Sequence, residues 1–60
     1  MDKDTIAKRI AEVRSTGQVN MFDRLGVVAM LTTLGHYEIA DYIYNCGATY
    51  VELLSLSGKY

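Results

Sequence analysis

The apolar positions of this chain repeat with a helical spacing, and glycines divide the repeats into four segments. In the first segment, from about Asp4 to Ser15, Ile6, Ile10 and Val13 stand at i, i+4 and i+7. They form one narrow apolar stripe, and charged residues occupy most of the other positions. This pattern predicts an amphipathic surface helix.

Residues that start and stop helices stand at the boundaries of the first two segments. Asp2 or Asp4 can cap the start of the first helix, and Gly17 can supply the left-handed residue at its end. Asn20 is then placed as the N-cap of the second helix, with the charge of Asp23 near its positive end. The stretch between Gly17 and Asp23 is therefore predicted to be a hinge between two helices.

The second segment, about Met21 to Leu34, has almost no polar face. A helix that is apolar all round is expected to be buried all round, in the core or against another chain. Gly26 and the pair Val27 and Val28 lower its helix propensity, and a buried strand is the alternative. Length favours the helix, because the fourteen residues between Asn20 and Gly35 are more than a typical strand contains.

Two further helices are predicted in the remainder of the chain. The third, about His36 to Cys46, has an apolar face that includes Ile39 and Ile43. The fourth begins at Thr49, where Thr49 and Glu52 have the spacing of a capping box, and it ends at Gly58.

The pattern predicts an all-α fold, a compact bundle of three to four short helices in a single domain spanning residues 1–60. Sixty residues are near the lower limit for independent folding, and half of them are apolar. We therefore expect a homodimer that buries the excess apolar surface. The residues expected in the core or the dimer contact are Phe22, Leu25, Val28, Leu31, Ile39 and Ile43.

The charges are nearly balanced but unevenly distributed. Residues 1–24 contain five basic and four acidic side chains, and residues 25–60 contain one basic and three acidic ones. Neither part has the concentrated positive field that binding to nucleic acid requires. Acidic residues stand where a signal peptide would be basic, and no apolar run approaches a membrane span. We expect a soluble protein in the cytoplasm of a bacterial host cell.

The chain offers little catalytic or metal-binding chemistry. His36 is the only histidine, and Cys46 is the only cysteine. Neither has companions at the spacing of a metal site, and Cys46 is expected to be a buried, inert thiol. A chain of this size also has little room for a pocket that excludes water. We predict no enzyme activity, no catalytic or metal-binding residues and no cofactor.

A contact surface for a partner is easier to place. All five tyrosines lie in the last 24 residues, and tyrosine is enriched at protein interfaces. Tyr37 and Tyr44 lie on the face of the third helix opposite Ile39. A second polar patch surrounds the start of the second helix. The predicted partner-binding residues are Arg14, Asn20, Asp23, Arg24, Tyr37, Asp41 and Tyr44.

A helix-turn-helix that binds DNA is an alternative, because a tight glycine turn joins the second and third segments. Its recognition helix would contain Glu38 and Asp41 and no basic residue. Such a helix would be repelled by phosphates, so this interpretation is disfavoured.

Several motifs resemble a known family. They are Val13-Arg14, Tyr42-Ile43, Tyr50 and above all T-G-x-x-N-M-F-D at residues 16–23 and L-G-x-Y-E at residues 34–38. Together they are similar to a family of very small uncharacterised proteins, a domain of unknown function encoded mainly in bacteriophages and prophages of Gram-positive bacteria. The second segment is more apolar than is usual in that family, and Cys46-Gly47 replaces a charged stretch.

The resemblance implies a context rather than a mechanism. Small phage proteins without catalytic groups often act by binding and blocking a host protein. The leading hypothesis is a homodimeric module for protein–protein interaction, an inhibitor of a bacterial anti-phage defence system such as an anti-CRISPR-like protein. The alternatives are a small phage regulator that binds nucleic acid through Lys8, Arg9, Arg14 and Arg24, or a structural accessory protein. The sequence does not identify the partner.

Overall fold

The computed structural model describes residues 2–60, and these form helices joined by short connections. The four helices are α1 (Lys3–Thr16), α2 (Arg24–Thr33), α3 (Tyr37–Cys46) and α4 (Thr49–Ser57). Residues 2–60 contain no strand, so the all-helical prediction is confirmed and the alternative strand in the second segment is wrong. No helix in this part of the chain combines the length and the apolar character that a membrane crossing needs.

The helices pack as two pairs, α2 against α3 and α1 against α4, and contacts between α1 and α2 hold the pairs together. The molecule measures 21 × 21 × 18 Å. Each helix contributes its apolar stripe to a single core. The larger buried side chains are Ile6, Ile10, Val13, Val27, Leu31, Ile39, Ile43, Tyr50 and Leu53.

Both predicted ends of α1 are confirmed. The Asp2 carboxylate accepts a 2.7 Å hydrogen bond from the Thr5 amide, and this bond lowers the pKa of Asp2. At the other end, Gly17 has a φ of 68°, and its amide donates to the Arg14 carbonyl. A left-handed φ is costly for residues with a Cβ, so glycine is favoured there.

The predicted start of α2 is wrong by three residues. Asn20 does not cap the helix, because its side-chain oxygen accepts the Phe22 amide in a turn that precedes it. Asp23 is the N-cap, and its carboxylate accepts the Gly26 amide at 3.2 Å. Asparagine and aspartate have similar preferences for this position, so the local sequence offers two starting points and the turn selects the second.

The chain itself does not bury α2 all round, so the prediction that places the whole helix in the core is wrong. Only Val27 and Leu31 are buried within the helix. Leu25 is 57% exposed and Phe22, which precedes the helix, is 87% exposed, so neither belongs to the core of the chain. Val28 is partly buried. A helix in two pairs of short helices is covered on one side only, which leaves its outer apolar side chains in solvent.

The capping box predicted for α4 does not form. The N-cap is Ala48, and no side chain caps the helix. Only Gly47 and Ala48 separate α3 from α4, and Ala48 already has helical backbone angles. Thr49 therefore lies inside the first turn rather than before it. The prediction that α4 ends at Gly58 is confirmed.

Candidate functional site

The outer faces of α2 and α3 enclose a groove, which we call the tyrosine groove. On α3, Tyr37, Asp41 and Tyr44 stand at i, i+4 and i+7 and share the face opposite the buried Ile39. The groove has a volume of about 270 Å³. It is lined by Val28, Thr32, Tyr37, Ala40, Asp41 and Tyr44. Three of the seven predicted partner-binding residues therefore converge.

The groove combines exposed aromatic rings with one carboxylate. Tyr37 is 68% exposed and Tyr44 is 58% exposed. The Thr32 hydroxyl donates to the Val28 carbonyl at 3.0 Å, so its oxygen can still accept a hydrogen bond from outside. The Asp41 carboxylate receives one long contact of 3.4 Å from the Asn45 amide. Among residues 2–60, no salt bridge includes Asp41.

Arg24, a predicted partner-binding residue, instead closes the end of α3. Its guanidinium donates to the carbonyls of Ile43 at 2.9 Å and Tyr44 at 2.6 Å. The last turn of α3 has no basic residue of its own. The guanidinium supplies positive charge where the helix dipole and the unpaired carbonyls favour it. Arg24 thereby fixes the end of the helix that positions Tyr44.

Arg14, another predicted partner-binding residue, joins α1 to α4. Its two terminal nitrogens donate to the hydroxyl and the carbonyl of Ser57, each at 3.1 Å. Ser57 is fully buried, and its hydroxyl also donates to the Leu54 carbonyl at 2.6 Å. This buried hydroxyl is satisfied by the contact with Arg14, which gives Arg14 a structural role.

Asn20 and Asp23 shape the connection between α1 and α2. Their side chains are exposed, but each already accepts the amide described for the turn and the cap. Neither residue lines the tyrosine groove. The predicted patch from Asn20 to Arg24 is therefore mainly a set of local and interhelical supports.

Sequence reasoning missed an anchor between this connection and α4. The Tyr50 hydroxyl donates to the Met21 carbonyl at 2.6 Å, across 29 residues of sequence. Tyr50 is only 4% exposed, and burial raises the pKa of its hydroxyl. The placement of Tyr50 on the apolar face of α4 was predictable, whereas its hydrogen-bond partner was not.

The side of α2 that faces away from the core forms an apolar patch, defined as Phe22, Leu25 and Ala29. All three residues are exposed. Leu25 and Ala29 lie on successive turns of α2, and Phe22 precedes them by one turn of sequence. The patch lies beside the tyrosine groove. On α2, the groove residues Val28 and Thr32 occupy positions adjacent to those of Leu25 and Ala29 around the helix.

A polar cluster connects α1 to the start of α3. Glu12 accepts one hydrogen bond from Arg9 at 2.7 Å and pairs with the His36 ring at 3.1 Å. Desolvation raises the pKa of Glu12, but the hydrogen bonds and charges of Arg9 and His36 together outweigh it, so the pKa lies below its ordinary value. His36 is the N-cap of α3 by position, yet its side chain caps nothing and turns to Glu12 instead.

The basic residues proposed for a nucleic-acid contact are engaged within the chain. Arg9 pairs with Glu12, and Arg14 and Arg24 donate to α4 and α3. The Lys8 ammonium lies 5.6 Å from the centre of the Tyr60 ring, a cation–π distance. Each of these side chains therefore contacts a group of its own chain.

The remaining candidate chemistry is sparse. Across residues 2–60, no three histidine, cysteine or acidic side chains converge as metal ligands would. Cys46 is partly exposed rather than buried, and its thiol donates to the Ile43 carbonyl at 3.4 Å. A second, open cavity of about 430 Å³ lies beside Thr5, His36 and Glu38.

Comparisons with known proteins give one match. A family model with the description "Domain of unknown function (DUF5049)" matches residues 1–59. No curated protein and no solved structure matches the chain.

Proposed function

We infer that this chain, which belongs to the DUF5049 family of unknown function, is a protein-binding module whose contact surface is the tyrosine groove. The observation that carries this proposal is the convergence of Tyr37, Asp41 and Tyr44 with two α2 residues in one open groove. The other charged candidates have internal partners, which leaves the groove as the concentrated set of uncommitted polar and aromatic atoms.

The composition of the groove suits a protein partner. A tyrosine ring has only two rotatable side-chain bonds, so a partner can cover a large area at a low cost in conformational entropy. The hydroxyl group can keep a hydrogen bond at the rim of an interface. Helices hold Tyr37 and Tyr44 at fixed spacing, so little reorganisation of the backbone is needed on binding.

We propose that the partner is a bacterial protein and that the module inhibits an anti-phage defence system. The resemblance to phage-encoded proteins supports this more specific role. A small inhibitor needs no catalytic centre, because it acts by covering a functional surface of its target. The groove and the exposed rings provide a contact of that kind.

We also propose that a second copy of the chain packs on the apolar patch. Phe22 is the most exposed large apolar side chain in residues 2–60, and Leu25, which follows it by three residues, is also exposed. Contiguous exposed apolar patches often mark protein–protein interfaces. Sedimentation should give a mass close to twice 6.7 kDa, and a double variant F22S/L25S should sediment as a monomer. A wild-type protein that is monomeric at micromolar concentration would contradict the dimer.

The test of the binding function is affinity capture with matched variants. The chain with Tyr44→Ala should lose the captured bacterial protein, while Val51→Ala should retain it. Val51 is a suitable control because it is an apolar residue that is 70% exposed and lies on α4, outside the groove. Circular dichroism should show that both variants stay folded. Equal capture of the bacterial protein by both variants would contradict the proposal that the tyrosine groove is the contact surface.

The inhibitory role has its own test. Expression of the chain in bacteria that carry the relevant defence system should restore phage plaques, and Tyr44→Ala should abolish the effect. Restoration that survives the substitution would mean that inhibition proceeds through another surface.

A further inference from the structure

We propose that the tyrosine groove receives an arginine side chain from the partner protein, an inference that rests on the proposed binding function. The relevant features are the charge of the groove, its shape and the state of the chain's own arginines. Each of them favours a guanidinium from another molecule.

The charge of the groove is that of a single carboxylate. Asp41 lies between Tyr37 and Tyr44 in the order of the helix face, and it is exposed. The salt bridges within residues 2–60 join Lys3 to Glu52 and Glu12 to its two partners, so Asp41 takes part in none of them. A cationic side chain entering the groove would find an acceptor that still has free lone pairs.

The shape of the groove fits a long side chain with a planar charged end. Val28 and Ala40 give an apolar lining against which methylene groups can pack. Tyr37 and Tyr44 are separated by about 10 Å along the helix axis, from the helical rise of 1.5 Å per residue. A cation beside the carboxylate therefore lies within reach of at least one aromatic face.

Arginine fits these groups better than lysine. A guanidinium can stack on a tyrosine ring and pair with a carboxylate through two parallel hydrogen bonds. It has further N–H groups for the Thr32 hydroxyl, whose oxygen can accept because its proton is directed to the Val28 carbonyl. A lysine ammonium is more strongly hydrated and cannot stack in this way.

We assign the arginine to a different protein, because the arginines of this chain have partners of their own. The chain contains three arginines, Arg9, Arg14 and Arg24, and each donates hydrogen bonds to groups in the same chain. Using Arg14 or Arg24 in a second copy would release the contacts that join the helices. The groove and the apolar patch therefore have different occupants, another protein and a second copy of this chain.

The test is an NMR titration of the isotopically labelled chain with N-acetyl-arginine amide. N-acetyl-citrulline amide is the matched control, because it has nearly the same shape and lacks the charge. Arginine should shift the backbone signals of Val28, Thr32, Ala40 and Tyr44, and citrulline should bind about three- to tenfold more weakly. N-acetyl-lysine amide should also bind more weakly than arginine.

Two variants locate the binding. Asp41→Asn should weaken arginine binding to the level of citrulline, whereas Glu38→Gln should leave it unchanged. Glu38 is the appropriate control because it is an exposed carboxylate on the same helix that does not line the groove. Tyr37→Leu should weaken binding by removing one ring, and it provides a second measurement if Asp41→Asn does not fold.

The proposal is overturned if arginine and citrulline give equal shifts, if lysine equals arginine, if the shifts lie outside the groove, or if no shift occurs. These outcomes differ from failure of the binding function. A partner captured through Tyr44 with equal efficiency by the wild type and Asp41→Asn would support protein binding and contradict the arginine contact.

Discussion

The guanidinium of Arg24 donates a 2.6 Å hydrogen bond to the carbonyl of Tyr44. Arg24, the first residue of α2, thus donates to the last turn of α3, and that turn contains Tyr44 of the tyrosine groove. The Arg24 side chain therefore joins α2 to α3, the two helices that line the tyrosine groove.

Substitution of Arg24 should destabilise the fold. Arg24→Ala removes charged hydrogen bonds to two carbonyls and should cost about 1–2 kcal/mol of unfolding free energy. Both bonds come from the single Nη1 atom, and Arg24→Lys keeps one charged donor nitrogen, so its loss of unfolding free energy should be smaller. Urea denaturation of the three proteins measures the difference. Equal stability of Arg24→Ala and the wild type would mean that the contact contributes nothing to the fold.

Arg14 should likewise act through stability rather than through partner binding. Arg14→Ala should lower the unfolding free energy by about 1–2 kcal/mol, because Ser57 is buried and loses a charged donor. Capture of the bacterial partner, measured well below the melting temperature, should be unchanged. A double-mutant cycle with Ser57→Ala should show coupling between the two positions. Lost capture in a stable Arg14→Ala protein would restore Arg14 to the contact surface.

The two residues that compete to begin α2 should differ in effect. Asp23→Ala removes the N-cap and should cost about 1 kcal/mol. Asn20→Ala affects only an exposed turn before the helix and should cost less than half as much. Chemical denaturation of both variants decides the order. The reverse order would place the effective cap at Asn20.

The hydroxyl of Tyr50 should matter for stability and for its pH dependence. Tyr50→Phe keeps the buried ring but leaves the Met21 carbonyl without its donor, at a cost of about 1 kcal/mol. The pKa of this hydroxyl is raised in the folded chain, so the unfolded chain loses the proton first. The stabilising contribution is complete below the ordinary pKa of 10.0 and is lost as the pH rises above it. The unfolding free energy, measured from pH 8 upward, should decrease more steeply with pH for the wild type than for Tyr50→Phe.

Glu12 should give the opposite dependence at acidic pH. Its pKa is lowered in the folded chain, so its contribution is present above the ordinary value of 4.5 and is lost as the pH falls through the folded value. The stability of the wild type should therefore decrease below pH 4.5 more than that of Glu12→Gln. Parallel pH profiles for the two proteins would show that the contacts of Glu12 with Arg9 and His36 do not favour its charged form.

The features that the sequence predicted well are those set by neighbouring residues. Gly17 ends α1 because its own backbone freedom permits a left-handed φ, and the Ile6 stripe faces the core because of helical spacing. The start of α2 was predicted wrongly, since Asn20 and Asp23 are both suitable caps. Part of the geometry of the predicted contact residues also follows from the sequence. Tyr37, Asp41 and Tyr44 share one helix face, which spacing alone indicates.

The internal contacts of Arg14 and Arg24 depend on distant parts of the chain, so the sequence does not indicate them. Arg14 and Arg24 find their acceptors 43 and 20 residues away, and no local pattern specifies such partners. In the sequence alone, charged residues of this kind have the composition expected of a recognition patch. Phe22 and Leu25 were assigned to the core or the dimer contact because apolar side chains are usually covered. The single chain leaves them exposed, so neither belongs to its core.

The pairing of α1 with α4 has a consequence for how the protein is made. α1 leaves the ribosome first among the four helices, but its main packing partner is the last to appear. At 5–20 residues per second, roughly 2–8 s separate the end of α1 from the end of α4. During that interval α2 and α3 can form their hairpin, while Ile6, Ile10 and Val13 still lack the helix that covers them. The nascent chain is therefore most vulnerable to chaperone binding and proteolysis at α1, until Arg14 contacts Ser57.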